Sequence, residues 1–289
     1  MTFKIGCAIW AYKGWVGELF PQGTSPSRFL QLYSQRFATV ECNATFYSIP
    51  SAETIKRWVQ ETPDTFEFFP KFPRSLTHDG ALQPKLGEAL SFIKLMQGLG
   101  SDRLGALFVQ LPPRYSPQNL PDLEAFLKGV QGTGVELVVE VRHPQWFQPD
   151  VAKRLNELLT RLNVGRVLLD SRPMYDCVDV FPEDPQLSSE RRKPNLPLQP
   201  VVTSALSIIR YISHPNRDFN ERFIMGWIPH IEAWLREGKR VYLFVHCPRE
   251  EYSPQNARFF QDLLEQQGVS IPPLPWTLLQ PDSTQLSLF

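Results

Sequence analysis

Short runs rich in Val, Ile, Leu and Phe recur along the chain. They lie at Lys4 to Ile9, Thr39 to Cys42, Phe66 to Phe69, Gly105 to Gln110, Val135 to Val141, Arg166 to Leu169, Leu206 to Ile212 and Val241 to Val245. Apolar runs of this length, bounded by turn residues, read as buried strands. Between them apolar residues recur three and four positions apart, as in Phe29, Leu32, Tyr33 and Phe37, or Leu86, Leu90, Ile93 and Met96. That spacing gathers them on one face of a helix. Strands alternating with helices predict an α/β fold, and eight such units predict a single-domain, TIM-like (β/α)8 barrel. An open doubly wound sheet would usually have fewer strands and often a Gly-rich phosphate loop, which the sequence lacks. The pairs Ser25-Pro26, Ser116-Pro117 and Ser253-Pro254 predict helix starts, with the hydroxyl capping free N–H groups and proline in the first turn.

Two segments break the alternation. Residues 172–200 hold six prolines among many polar residues, which predicts a long loop or lid after the sixth strand. Within it, Glu190-Arg191-Arg192-Lys193 reads as a solvated charge run. Residues 269–289 read as an extended tail, so the barrel is expected over 1–268. Composition bounds the rest. A chain of 289 residues can bury one large core. Lys plus Arg and Asp plus Glu each total 30, so no global field attracts a polyanion and any nucleic-acid contact must be local. The four cysteines have no C-x-x-C spacing and the first residues carry no apolar leader, so the expected setting is the reduced cytoplasm. Charged or Pro-rich segments interrupt every apolar run, so no membrane association is expected.

In a β/α barrel the loops after the strands build the active face, and side chains two apart on a strand share a side. Glu41 and Asn43 therefore share a face at the second strand's end, and Glu140 and Arg142 at the fifth. Lys71, Gln110, Asp170, Arg210 and His246 occupy comparable places. Trp10, Tyr12, Trp15, Phe46, Tyr47 and Trp146 offer aromatic walls. Cys42, between Glu41 and Asn43, should face the helices as an apolar filler. So many ionisable residues at one end have two readings: a salt-bridge network closing the barrel, or a polar pocket. In a pocket, Glu41, Glu140 and Asp170 are the candidate acids, bases or metal ligands, while Lys71, Arg142 and Arg210 suit a phosphate or carboxylate. His78, His143, His214 and His246 could join the carboxylates around a divalent metal, although none lies in a short ligand motif.

Five stretches together resemble the YecE-like family, domain of unknown function 72: Trp10 to Trp15 (WAYKGW), Val40 to Tyr47 (VECNATFY), Thr77-His78, Gln110 to Pro113 (QLPP) and Glu140 to Trp146 (EVRHPQW). Asp170, Arg210 and Asn256-Ala257 extend the likeness to about residue 268. The resemblance implies a β/α barrel and carries no settled activity. Two places depart from it. Arg210 to Pro215 stands where the family has an Arg-Leu-His-Gly turn, and His246-Cys247 replaces an Asn-Asn pair. The last five residues, Gln285, Leu286, Ser287, Leu288 and Phe289, resemble the peptide by which bacterial replication and repair proteins bind the sliding clamp. An extended peptide can seat its Leu and Phe side chains in apolar pockets while the Gln hydrogen-bonds. The leading expectation is thus a barrel recruited to DNA that acts on a phosphate-bearing or nucleic-acid substrate, as a hydrolase if it is an enzyme. Endonuclease IV-like enzymes share the barrel architecture, an analogy of fold alone. A non-catalytic clamp-associated adaptor and a carbohydrate hydrolase using paired carboxylates are the alternatives.

Overall fold

The computed structural model describes residues 2–176 and 193–278. Eight strands fall where the apolar runs lie: β1 (Thr2–Cys7), β2 (Thr39–Cys42), β3 (Glu67–Pro70), β4 (Leu107–Gln110), β5 (Leu137–Glu140), β6 (Gly165–Asp170), β7 (Leu206–Ile212) and β8 (Arg240–His246). Six form a parallel sheet in the order β1-β8-β7-β6-β5-β4, and β2 pairs in parallel with β3. Two isolated parallel bridges, Phe68 to Leu104 and Lys71 to Phe108, join β3 to the β4 side. Helices follow the strands: Phe29–Ser34, Ala52–Glu61, Leu86–Met96, Leu120–Val130, Pro149–Arg161, Glu221–Arg236 and Ser253–Gln266. The result is a single-domain α/β fold.

Parallel strands covered by helices are buried on both faces, and the two faces divide the core. One face meets the helices through residues such as Val40, Cys42, Val109, Val139, Ile209, Val241 and Leu243. The other carries a separate apolar layer: Phe69, Ala106, Phe108, Val138, Val167, Leu206, Ile208, Tyr242 and Phe244. Full burial of each large side chain in that layer stabilises the fold by roughly 1.5–3 kcal/mol. Gly105 permits the layer to close, since a Cβ there would stand 2.4 Å from the Phe69 ring. Toward the amino ends the same face is charged. Glu67 pairs with Lys4 at 3.1 Å and Glu136 with Arg240 at 2.5 Å.

Some local expectations change. Ser25 and Ser116 stand at the N-caps of short 3-10 turns without capping through their hydroxyls. Ser25 Oγ instead meets Ser27 Oγ, and Ser253 lies inside its helix, where Oγ accepts from the Cys247 N–H. Proline sets the backbone at these starts, and the hydroxyl is free for other partners. The long loop begins as a short helix, Arg172–Tyr175. Its far end, after the segment outside the described residues, returns to the core through buried Leu196, packed with Leu169, Met174 and Ile212. Trp276 packs edge-on against Phe37, with Arg36 and Arg258 over its ring, so the start of the tail lies on the domain. The terminal pentapeptide Gln285 to Phe289 lies outside the described residues. No described helix is long and apolar enough to cross a membrane.

Candidate functional site

Two residues beyond the apolar layer, the same strand face turns polar. Phe69 gives way to Lys71, Phe108 to Gln110, Val138 to Glu140, Ile208 to Arg210 and Phe244 to His246. The period of two in a strand makes this stacking unavoidable once the register is set. Glu41 joins from β2, and all six side chains are buried.

Arg210 stands at the centre. Its Nε donates to Glu41 Oε2 at 2.6 Å, Nη2 to Glu41 Oε1 at 2.9 Å, and Nη1 to Glu140 Oε2 at 2.5 Å. Lys71 Nζ lies 2.5 Å from Glu41 Oε1 and donates to Gln110 Oε1 at 2.8 Å. Arg142 Nε donates to Glu140 Oε1 at 2.6 Å. Both carboxylates and Arg210 are 0 % exposed, a burial that charge tolerates only with such pairing. Burial alone would raise the Glu41 carboxyl, but Arg210 and then Lys71 hold it well below its usual range. Glu140 is likewise held low against burial, by Arg142, Arg210 and Lys71. Burial and Arg210 bring the Lys71 ammonium down to about 8, with Glu41 and Glu140 opposing. Burial also drops His246 to about 3. Its ring is therefore neutral, and Nε2 accepts from Arg210 Nη2 at 2.9 Å. Near neutral pH the cluster sets two carboxylates against three cations, Lys71, Arg142 and Arg210. Arg142 is 13 % exposed in its side chain and, among the described residues, hydrogen-bonds only through Nε.

The remaining candidates are placed around this cluster or away from it. His78 is half-buried against Phe46 and accompanies Thr77 Oγ1 at 2.9 Å. Burial, then the charges of Arg142, Arg74 and Arg114, lower it to about 4, so it too is neutral. Asn43 Nδ2 donates to the Ala8 carbonyl, and Tyr12 to Glu251 Oε2. Trp10 packs edge-on against Trp58 and Phe68. His143 Nδ1 accepts from the Gln145 N–H. Trp146 is wholly buried, its Nε1 donating to the Tyr115 carbonyl, which makes it a core residue rather than a wall. Asp170 forms its own unit with Arg172, at 2.9 and 2.8 Å, and Trp227 Nε1, at 2.8 Å; it shares no hydrogen bond with the cluster. His214 Nδ1 accepts from the Asn216 N–H at 3.0 Å. Among the described residues no three His, Cys, Asp or Glu side chains form a metal-holding group. Arg210 already stands between the two glutamates, where a divalent ion would have to sit. A cavity of about 430 Å³ lies elsewhere, against helix Ser253–Gln266, lined by Glu18, Arg217, Arg258 and Trp276 among others.

Two residues escaped the sequence reading. Lys193, the end of the expected solvated run, is half-buried, and burial with Arg210, Arg142 and Lys71 lowers its ammonium to about 7. A charge run gives no sign of which member turns inward. Glu250 begins a single 3-10 turn (Glu250–Tyr252) four residues beyond His246, and burial pushes its carboxyl up to about 8. It lies in a loop, where no strand period reveals direction.

The family model described as Protein of unknown function DUF72 matches residues 4–279. The UPF0759 protein YecE of Escherichia coli strain K12 is 32% identical over 253 residues, 87% of this chain and 88% of that protein. The UPF0759 protein YunF of Bacillus subtilis strain 168 is 30% identical over 139 residues, 46% of this chain and 49% of that one. Among solved structures, a DUF72 family protein from Thermotoga maritima matches with a TM-score of 0.69 at 22% identity, covering 92% of this chain and 100% of that one. One from Enterococcus faecalis also reaches 0.69, at 17% identity, covering 97% and 100%. At such identities these structures speak for the fold alone. The match over nearly the whole chain and the E. coli relative together establish that this chain belongs to the DUF72 family of proteins of unknown function.

Proposed function

We propose that the eight strands close into a (β/α)8 barrel over residues 1–268, with the Glu41, Lys71, Gln110, Glu140, Arg142, Arg210 and His246 cluster as an anion-binding site at its carboxyl end. Closure between β1 and β2 is supported by Tyr33, whose hydroxyl accepts from the Cys7 N–H at 2.7 Å and donates to the Thr39 carbonyl at 3.1 Å. Close approach of these strands is further supported at Gly6, where a Cβ would fall 2.1 Å from the Thr39 oxygen. The observation that carries the site is the excess of one positive charge in a buried cluster, with Arg142 at its rim presenting donors that no described residue uses. Guanidinium donors fixed in this way match a phosphate or carboxylate. A phosphate-bearing ligand, including the backbone of a nucleic acid, is the class this arrangement favours. The pentapeptide Gln285 to Phe289 would bring the barrel to a bacterial sliding clamp, which directs the choice toward DNA.

One observation favours a second reading, a non-catalytic adaptor whose cluster only ties the strand ends together: every oxygen of Glu41 and Glu140 is engaged internally. Carbohydrate hydrolysis by the Glu41 and Glu140 pair fits less well, because it needs one carboxyl of the pair protonated and Arg210 helps to hold both in the charged form. Titration calorimetry with inorganic phosphate at low ionic strength tests the choice. Binding that falls about tenfold or more in Arg142→Gln, the order of one lost charge-assisted hydrogen bond, supports the anion site. No binding by a folded wild-type protein leaves the structural network.

A further inference from the structure

Glu250 is unlike the other carboxylates near the strand ends. Among the described residues its Oε1 is buried without a hydrogen-bond partner, while its carbonyl is fixed by Trp15 Nε1 at 2.9 Å. The backbone anchor makes the side chain's position a property of the fold. A buried polar atom left without a partner costs about 1–3 kcal/mol and calls for a physical reason. The groups facing it come from several elements. Cys7 is at the end of β1, Glu41 on β2, Lys193 on the stretch after β6, and Cys247, Glu251 and Ser253 lie on its own loop. Lys193 is the cation whose charge acts on the Glu250 carboxyl, and it forms no ion pair with Glu250 or with any other described residue. The Glu250 carboxyl hydrogen-bonds with the Ser253 side chain, which leaves Oε1 as its orphaned atom in the field of an amine that has no carboxylate partner of its own among the described residues.

We propose that Glu250 is the proton-donating wall of the anion site, its unpartnered Oε1 marking where an oxygen of a bound phosphate or sulfate group accepts a hydrogen bond, opposite Lys193. This rests on the anion-binding reading above. The carboxyl, poised to about 8 by burial, donates below that pH and repels an anion above it. Cys7, pushed well up by burial, and Glu41, held well down by Arg210 and Lys71 against its own burial, keep one charge state through this range. Lys193 and Lys71 lose charge between about 7 and 8, which weakens anion binding whatever stands at position 250.

The experiment compares wild type with Glu250→Gln, using inorganic sulfate, which itself takes up no proton in the range measured. Gln keeps a donor and never becomes negative. The two proteins should bind sulfate alike at pH 6, and at pH 9 the variant should bind about tenfold tighter, the factor linkage gives one pH unit above the midpoint. A gain of affinity in a substitution variant is not the result a merely structural residue would give. Equal affinities at pH 9, with sulfate bound by both, overturn the role of Glu250 and leave the anion site standing. Absence of sulfate binding at pH 6 overturns the anion site and this inference with it. Should the variant not fold, carbon-13 titration of the Glu250 carboxyl in wild type decides: bound sulfate must raise its midpoint, and an unmoved midpoint refutes the proposal.

Discussion

Replacing Arg210 by Met is the sharpest test of how the strand ends are held together. Arg210 makes three hydrogen bonds to two wholly buried carboxylates and a fourth to His246. Met matches much of the stem but leaves Glu41 with Lys71 and Glu140 with Arg142 as single cationic partners. Breaking a buried pair by removing one member typically costs about 3–5 kcal/mol, because the surviving charge stays buried without its partner. Two carboxylates lose a partner here and each keeps one, so a loss within that range is expected. The pH dependence gives an independent check. Glu41 and Glu140 have folded pKa values below their ordinary ones. They therefore contribute stability above the unfolded value near 4.5, and it is lost as pH falls through the folded values. Without Arg210 both pKa values rise and the carboxyls can neutralise, so the gap between wild type and variant narrows from pH 7.5 to pH 4. Urea unfolding at the two pH values measures this, and adding Glu41→Gln to the variant should recover part of the loss. A cost under about 1 kcal/mol, or a gap that does not change with pH, would refute the account of the cluster as a mutually dependent charge network.

Glu250 gives the opposite pH signature. Its folded pKa, about 8, lies above the ordinary 4.5, so wild-type stability falls as pH rises through that window, and Glu250→Gln should gain on the order of 2–4 kcal/mol at pH 8 relative to pH 4; parallel unfolding curves at the two pH values would count against the buried acid. Removing the residues after Thr284 should abolish binding to a bacterial sliding clamp in surface plasmon resonance without changing the unfolding midpoint, and undiminished binding by the truncated chain would dismiss the pentapeptide as the docking element.

The hydrophobic pattern was enough to place all eight strands, because a buried parallel strand must be apolar nearly throughout and so stands out from amphipathic helices. The period of two also determined which polar residues top which apolar ones: Lys71 over Phe69, Glu140 over Val138, Arg210 over Ile208. What it could not determine was partnership. Glu41 and Arg210 are 169 positions apart, and only the strand order sets them within hydrogen-bonding distance. Asp170 ends its strand like the others, yet Arg172 and Trp227 take it up. Trp146 stands among motif residues and still points into the core, where Tyr115 offers its carbonyl. Lys193 and Glu250 lie in irregular segments, whose backbone has no period from which a side chain's direction can be read. Local sequence specifies element type and face, because those follow from short-range geometry. Which charges meet, and how far each is driven from its ordinary pKa, is a property of burial and distance that exists only once the chain has folded.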